Sequence, residues 1–144
     1  MESMLLTGSS SMDAERAFSR QARARRRASL ARRLRRQSGG RLPVYDERTF
    51  RRVGRPTVRE IPLDTISGTV EPSRAATFDC AFRPAASART RWQRVWLAEH
   101  RGTVLPPISV VCVGGAYAVR DGHHRVSVAK ARGALTIEAA VETL

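Results

Sequence analysis

The apolar positions of this chain change rhythm along its length, and each rhythm predicts a different element. Ile108-Ser-Val-Val-Cys-Val113 is almost continuously apolar and β-branched, which predicts a buried strand. Gly114-Gly115 supplies a two-residue turn, and Ala116-Tyr-Ala-Val-Arg120 a returning strand. Val126-Ser-Val-Ala-Lys-Ala-Arg132 is helix material stopped by Gly133, and Thr136-Ile-Glu-Ala-Ala-Val141 reads as a final strand. Upstream, Val58-Arg-Glu-Ile61 before Pro62-Leu63 predicts a short strand, placed at a sheet edge by its proline. Residues 64 to 84 are mixed, punctuated by Gly68, Pro72 and Pro84, and read as loop or short strand. From Ala85 to His100 the period lengthens: Ala85, Ala88, Trp92, Val95 and Trp96 share a helical face, and Gly102 ends it. Trp92 and Trp96 are expected in the core, with Arg89, Arg91 and Arg94 elsewhere on the surface.

The first third has a different character. One helix is predicted from about Met12 to Gln37, with Ser11 as N-cap and Asp13 and Glu15 in its first turn. Ala14, Ala17, Ala24, Ala28 and Ala31 lie on one side, while Phe18, Leu30 and Leu34 fall on others and arginines go almost all the way round. Such a helix is expected to bury no good stripe and to be marginal alone, because like charges at i,i+4 repel. Gln37-Ser-Gly-Gly-Arg-Leu-Pro43 reads as a loop after it.

Charge sharpens this division. The chain has 144 residues and a formal net charge of +13, and every basic residue but Lys130 is arginine. That bias reflects GC-rich coding as readily as selection for guanidinium, so position matters more than the total. Residues 1 to 45 hold eleven arginines against Glu2, Asp13 and Glu15, whereas residues 57 to 144 hold eleven basic against eight acidic groups. Between Arg16 and Arg36 there is no acid. Two parts are therefore expected, a basic helical arm with its linker over 1–45 and a folded domain over 57–144. Phosphates would relieve the arm's self-repulsion and release counterions, so DNA is its expected partner, through Arg23, Arg25, Arg26, Arg27, Arg32, Arg33, Arg35 and Arg36. An acidic protein surface is the other candidate. The run offers bases no set of stacking aromatics, which argues against sequence-specific reading of single strands.

Other classes fall away. No stretch approaches the ~18 continuous apolar residues of a membrane span. The start lacks a charged leader and a long apolar run, so a cytoplasmic protein is expected, and its basic arm would allow association with the nucleoid. Cys80 and Cys112 lack metal-ligand spacing and read as reduced core thiols, and no zinc site is expected from His100, His123 and His124.

The candidate chemistry sits at Asp121-Gly122-His123-His124-Arg125, where the returning strand becomes a helix. Gly122 permits close backbone approach, and the first amides of the helix point outward beside a guanidinium, which makes an anion pocket with phosphate as its usual occupant. Gly122, His123, His124, Arg125 and Ser127 are the expected phosphate-binding residues. One histidine is expected to carry a proton near neutral pH, and Asp121 to orient a hydroxyl or a magnesium-bound water. The bland alternative makes Asp121 an N-cap and the histidines surface packing.

Pro107-Ile108, the strand pair, Asp121-Gly-His-His-Arg-Val-Ser-Val-Ala129 and the closing strand resemble the ParB/sulfiredoxin superfamily. Ile61-Pro-Leu-Asp-Thr-Ile-Ser-Gly68, Phe78-Asp79, Phe82-Arg-Pro84 and Arg91-Trp92 are similar to its small bacterial ParB-like members that carry an Asp-Gly-His-His-Arg motif. The resemblance covers roughly 57 to 144 and leaves out the arm. It implies an α+β fold with a mixed sheet and packed helices, preceded here by the Arg-rich helix. It also implies a bound nucleoside di- or triphosphate (CTP, ATP or ADP) with magnesium, and it allows a homodimer. Sulfiredoxins have a cysteine nucleophile after the motif glycine, where this chain has His123, which argues against that reductase activity. The helix-turn-helix region and Glu-Asn phosphate motif of chromosome-partitioning ParB proteins have no counterpart here. Free-serine kinases resemble the motif more closely, and they imply catalytic roles for Asp121 and His124, with Glu71 as a further partner.

Three functions follow as expectations. The first is a nucleotide-phosphate-binding module whose basic arm contacts DNA. The second is a small phosphotransferase or nucleotide hydrolase using Asp121 and His124. The third is a regulatory protein-interaction module without a ligand.

Overall fold

The structure is a computed structural model that describes residues 2–49 and 53–143. It is α+β: five strands form one mixed sheet, and three α-helices pack together over it. Strand β1 (Val53–Pro62) lies at one edge, antiparallel to β5 (Thr136–Thr143). β5 runs parallel to β3 (Ile108–Val113), which pairs antiparallel with β4 (Ala116–Asp121) through the Gly114-Gly115 turn. β2 (Ile66–Thr69) closes the other edge, parallel to β4, so the order is β1-β5-β3-β4-β2. The edge strand expected before Pro62 is present and longer than its apolar core suggests. Part of the mixed region 64–84 is strand β2, in keeping with the short-strand reading of that stretch.

Helix α1 spans Glu2–Leu34, α2 Arg89–His100 and α3 His123–Ala131. The predicted helix from Ala85 begins instead as a 3-10 turn, Ala86–Ala88, before α2. Trp92 is fully buried and Trp96 nearly so, as expected of that face.

Helix α1 departs from expectation in three ways. It starts well before Met12, so Ser11 lies inside it and is no N-cap; serine costs a helix interior only a few tenths of a kcal/mol relative to better formers. It closes at Leu34 rather than Gln37. Arg36 turns left-handed (φ 54°), with its amide on the Arg33 carbonyl and the Gln37 amide on that of Arg32, the double bond of a Schellman closure. Finally, it does bury a stripe. Ala14, Ala17, Phe18 and Ala22 are in the core at i, i+3, i+4 and i+8, and Phe18 sets its ring edge-on against Trp92 at 5.6 Å. Among the described residues the stripe occupies the middle of the helix, from Ala14 to Ala22, where small alanines let α1 approach α2 closely, and averaging over the whole arginine-rich run hides it.

The thiols also differ from expectation. Cys112 is half-buried against the core, but Cys80 is exposed on a turn. Among the described residues, no helix is long and apolar enough to cross a membrane.

Candidate functional site

Gly122 is the hinge on which the site turns. It has φ 106° and ψ 24°, a left-handed conformation that side chains rarely adopt, and a Cβ there would stand 2.5 Å from Ile108 Cγ2. Glycine is thus required twice, by conformation and by space, for β4 to break directly into α3. The capping role that the bland alternative gives Asp121 is not taken up: Gly122 is the N-cap, and Asp121 is exposed at the end of β4. The first α-helical bond runs from the Val126 amide to the Gly122 carbonyl, so the amides of His123, His124 and Arg125 have no acceptor inside the helix.

Those amides open on a pocket of about 200 Å³ lined by Asp121, Gly122, His123, His124 and Arg125, together with Arg74, Arg91 and Val95. Arg91 comes from α2, and Arg74 from the 3-10 turn Pro72–Ala75. Three arginines from three separate elements thus line the pocket with one carboxylate residue. Sequence reasoning misses both added arginines. Arg91 adjoins Trp92 on its helix and so reads as outer surface, and Arg74 lies in a stretch without periodicity. The usable signal is geometric: a helix anchored by Trp92 beside α3 must carry its neighbouring residues past the motif.

Both motif histidines are buried rather than packed on the surface. Thr69, at the end of β2, sets its Oγ1 2.6 Å from His123 Nε2 and 3.2 Å from the Val119 carbonyl. In either tautomer that ring nitrogen is occupied. Phe78 stacks on the His123 ring at 6.2 Å and meets the His124 ring edge-on at 5.1 Å. Burial pushes His123 down to about 4, reinforced by the positive charges of Arg74 and a protonated His124 and only partly opposed by Asp121. His124 is likewise pushed down to about 4, first by burial, then by Arg91 and Arg74. The expected proton near neutral pH is therefore absent from both rings, and a neutral His124 is an acceptor rather than a cation.

Arg125 is partly committed elsewhere. Its Nη1 donates to the Pro106 carbonyl, and its Nε lies 3.8 Å from a Glu99 carboxylate oxygen. It therefore ties the loop before β3 to the helix as well as facing the pocket. Ser127 does not reach the pocket: it is buried and accepts the Trp92 indole hydrogen at 2.8 Å, joining α3 to α2. Glu71 is also outside the pocket lining; it is exposed and precedes the turn that delivers Arg74.

The donor set speaks to the implied ligands. Amides and guanidiniums suit phosphate, but about 200 Å³ lies below the ~300–1,000 Å³ of sites that enclose a whole ligand. That volume could take the phosphate end of a nucleotide and has no room for its base and sugar. One carboxylate among three guanidiniums does not make a magnesium cage, so a magnesium ion there would rely on the phosphates' own oxygens.

Of the arginines assigned to nucleic acid, Arg23, Arg26, Arg27, Arg33, Arg35 and Arg36 are exposed on or just after α1. Arg25 and Arg32 are half-buried and reach back to the Ala76 carbonyl at 3.3 Å and Cys80 Sγ at 3.2 Å.

No protein-family model matches the chain, and no curated protein matches it. Among solved structures it is similar to sulfiredoxin from Arabidopsis thaliana, at 20% identity and a TM-score of 0.47, over 62% of this chain and 88% of that one.

Proposed function

We propose that the chain is a ParB-like nucleotide-binding module that holds the phosphates of a nucleoside di- or triphosphate at the start of α3 and contacts DNA through the outer arginines of α1. The observation that carries the reading is that Arg74, Arg91 and Arg125 line one pocket at the start of α3, where the first three amides have no acceptor inside the helix. Each arginine comes from a different element, so the fold gathers positive charge that an anion would neutralise.

Arg91 gives the cleanest test, because it is exposed and makes no side-chain hydrogen bond among the described residues. Arg91→Ala is expected to weaken ADP, ATP or CTP binding about tenfold or more, the scale of one charge-assisted contact. Calorimetric titration with and without magnesium measures it. Equal affinity in wild type and variant would remove the site.

Phosphoryl transfer is the second reading, favoured by Asp121 and His124 lining the same pocket. A neutral His124 would accept a hydroxyl proton, while Asp121 would orient the acceptor. Turnover of a bound nucleotide that is lost in Asp121→Asn at near-unchanged affinity selects this reading; binding without turnover selects the module.

The DNA contact is tested through salt. Replacing Arg27, Arg33, Arg35 and Arg36 by alanine should flatten the dependence of duplex affinity on salt, by about 0.9 in log–log slope for each phosphate no longer neutralised. An unchanged slope would assign DNA binding elsewhere or nowhere.

A further inference from the structure

The inward face of α1 does not end with its apolar stripe. After Ala14, Ala17, Phe18 and Ala22 the same face continues to Arg25, Ser29 and Arg32. Arginines on the packing side of a helix are not the solvated face of a free arm. Here they close one side of a second cavity, about 300 Å³, whose other walls are Arg26, the Gly39-Gly40-Arg41 loop and Asp79. None of its residues belongs to the pocket at α3.

We propose that this cavity is an anion site for a compact oligophosphate, a chain of two or three phosphates bound end-on. Four guanidiniums line it, from Arg25, Arg26, Arg32 and Arg41, against one carboxylate. That carboxylate is already engaged. Asp79 is buried, accepts the Ala81 and Arg83 amides at 2.9 and 2.8 Å, and pairs with the Arg83 guanidinium at 3.3 Å. The cavity therefore carries uncompensated positive charge.

One wall is fixed by contacts within the chain. Gly40 has φ 93°, and a Cβ there would overlap the Arg32 guanidinium, so glycine lets that group lie against the backbone. The Gly40 carbonyl in turn accepts the Cys80 amide at 3.0 Å, and Arg32 Nη2 reaches Cys80 Sγ. The lining holds no aromatic ring on which a base would stack, which favours the phosphate chain over a nucleoside. A concave wall of converging guanidiniums also suits a compact anion better than the convex side of a duplex, whose phosphates are spread along a backbone.

The test is calorimetric titration of the full chain with inorganic tripolyphosphate, in the wild-type and Arg91→Ala backgrounds. Arg26 and Arg41 are both exposed, so Arg26→Ala/Arg41→Ala can be made with little risk to folding, checked by circular dichroism. That pair should lose affinity about tenfold or more. Arg16→Ala/Arg20→Ala, an equal charge change on the same helix outside the cavity, should lose no more than about threefold through the general field. Equal losses in the two pairs would overturn the proposal in favour of diffuse attraction. Loss only on Arg91→Ala would overturn it by assigning all the tripolyphosphate to the α3 pocket. A pair that weakens duplex DNA binding and leaves tripolyphosphate untouched would overturn it as well. The site stands if nucleotides fail to bind at α3, because its affinity is read in the background lacking Arg91.

Discussion

Trp92→Ala should destabilise the protein by about 3–5 kcal/mol, the usual cost of removing a buried aromatic ring. Trp92 is fully buried where all three helices meet: Phe18 of α1 packs edge-on against it, and Ser127 of α3 accepts its indole hydrogen. Truncation leaves a cavity and also strands the buried Ser127 hydroxyl. Trp92→Phe keeps the six-membered ring against Phe18 and loses the pyrrole part with its hydrogen bond, at about 1–3 kcal/mol. Trp96→Ala should cost less than Trp92→Ala. Its ring is 9% exposed and covered by a stacked His100 and the Arg132 guanidinium, which can close over the gap. Urea unfolding measures all three. A loss below about 1 kcal/mol for Trp92→Ala would contradict the three-helix junction. The same junction bears on the proposed site, since α2 carries Arg91 and α3 carries the motif amides: any nucleotide affinity of the wild type should fall in a folded Trp92→Ala.

The junction also marks where sequence reasoning runs out. Strands β3 and β4, their glycine turn, α3 and β5 are legible because each is announced locally, by a β-branched run, a Gly-Gly pair or a glycine stop. The break from strand to helix at Gly122 is legible for the same reason, since only glycine accepts that backbone. What α1 does is not legible. Among the described residues its core positions are three alanines and a phenylalanine among arginines, a stripe too small to stand out until a partner surface is known. Once Phe18 meets Trp92, α1 is part of the fold, and deleting residues 1–40 would remove core as well as charge. Point substitutions on its outer face are therefore the sounder probe of DNA contact. The candidate site divides in the same way. The motif residues follow from the chain itself, but Arg74 and Arg91 are brought in by tertiary packing, and burial converts the histidines from proton carriers to neutral groups. Ser127 looks like a donor in a motif and turns out to be the acceptor that holds Trp92.

Acid should unfold this protein through those histidines. Both are under a tenth exposed and are held near 4, against an ordinary value of 6.5. In the folded chain they stay neutral where the unfolded chain takes up protons. A lowered histidine therefore contributes no penalty above pH 6.5, and stability declines as pH falls from about 6.5 to about 4. Within that window each histidine costs up to about 1.4 kcal/mol per pH unit, so the pair should remove a few kcal/mol between pH 7 and pH 5. His123→Gln/His124→Gln should flatten that part of the profile, leaving only the carboxylates, which act mostly at lower pH. A wild-type stability that stays level from pH 7 to pH 5 would show that the rings are hydrated or already charged in the fold. The same linkage reaches the proposed ligand. An anion held beside His124 would favour its charged form, so binding at pH 5 should draw protons from solution, seen as a calorimetric heat that changes with the ionisation enthalpy of the buffer. The identical heat in every buffer would mean that the anion sits away from the histidines, and that the three guanidiniums gather it elsewhere.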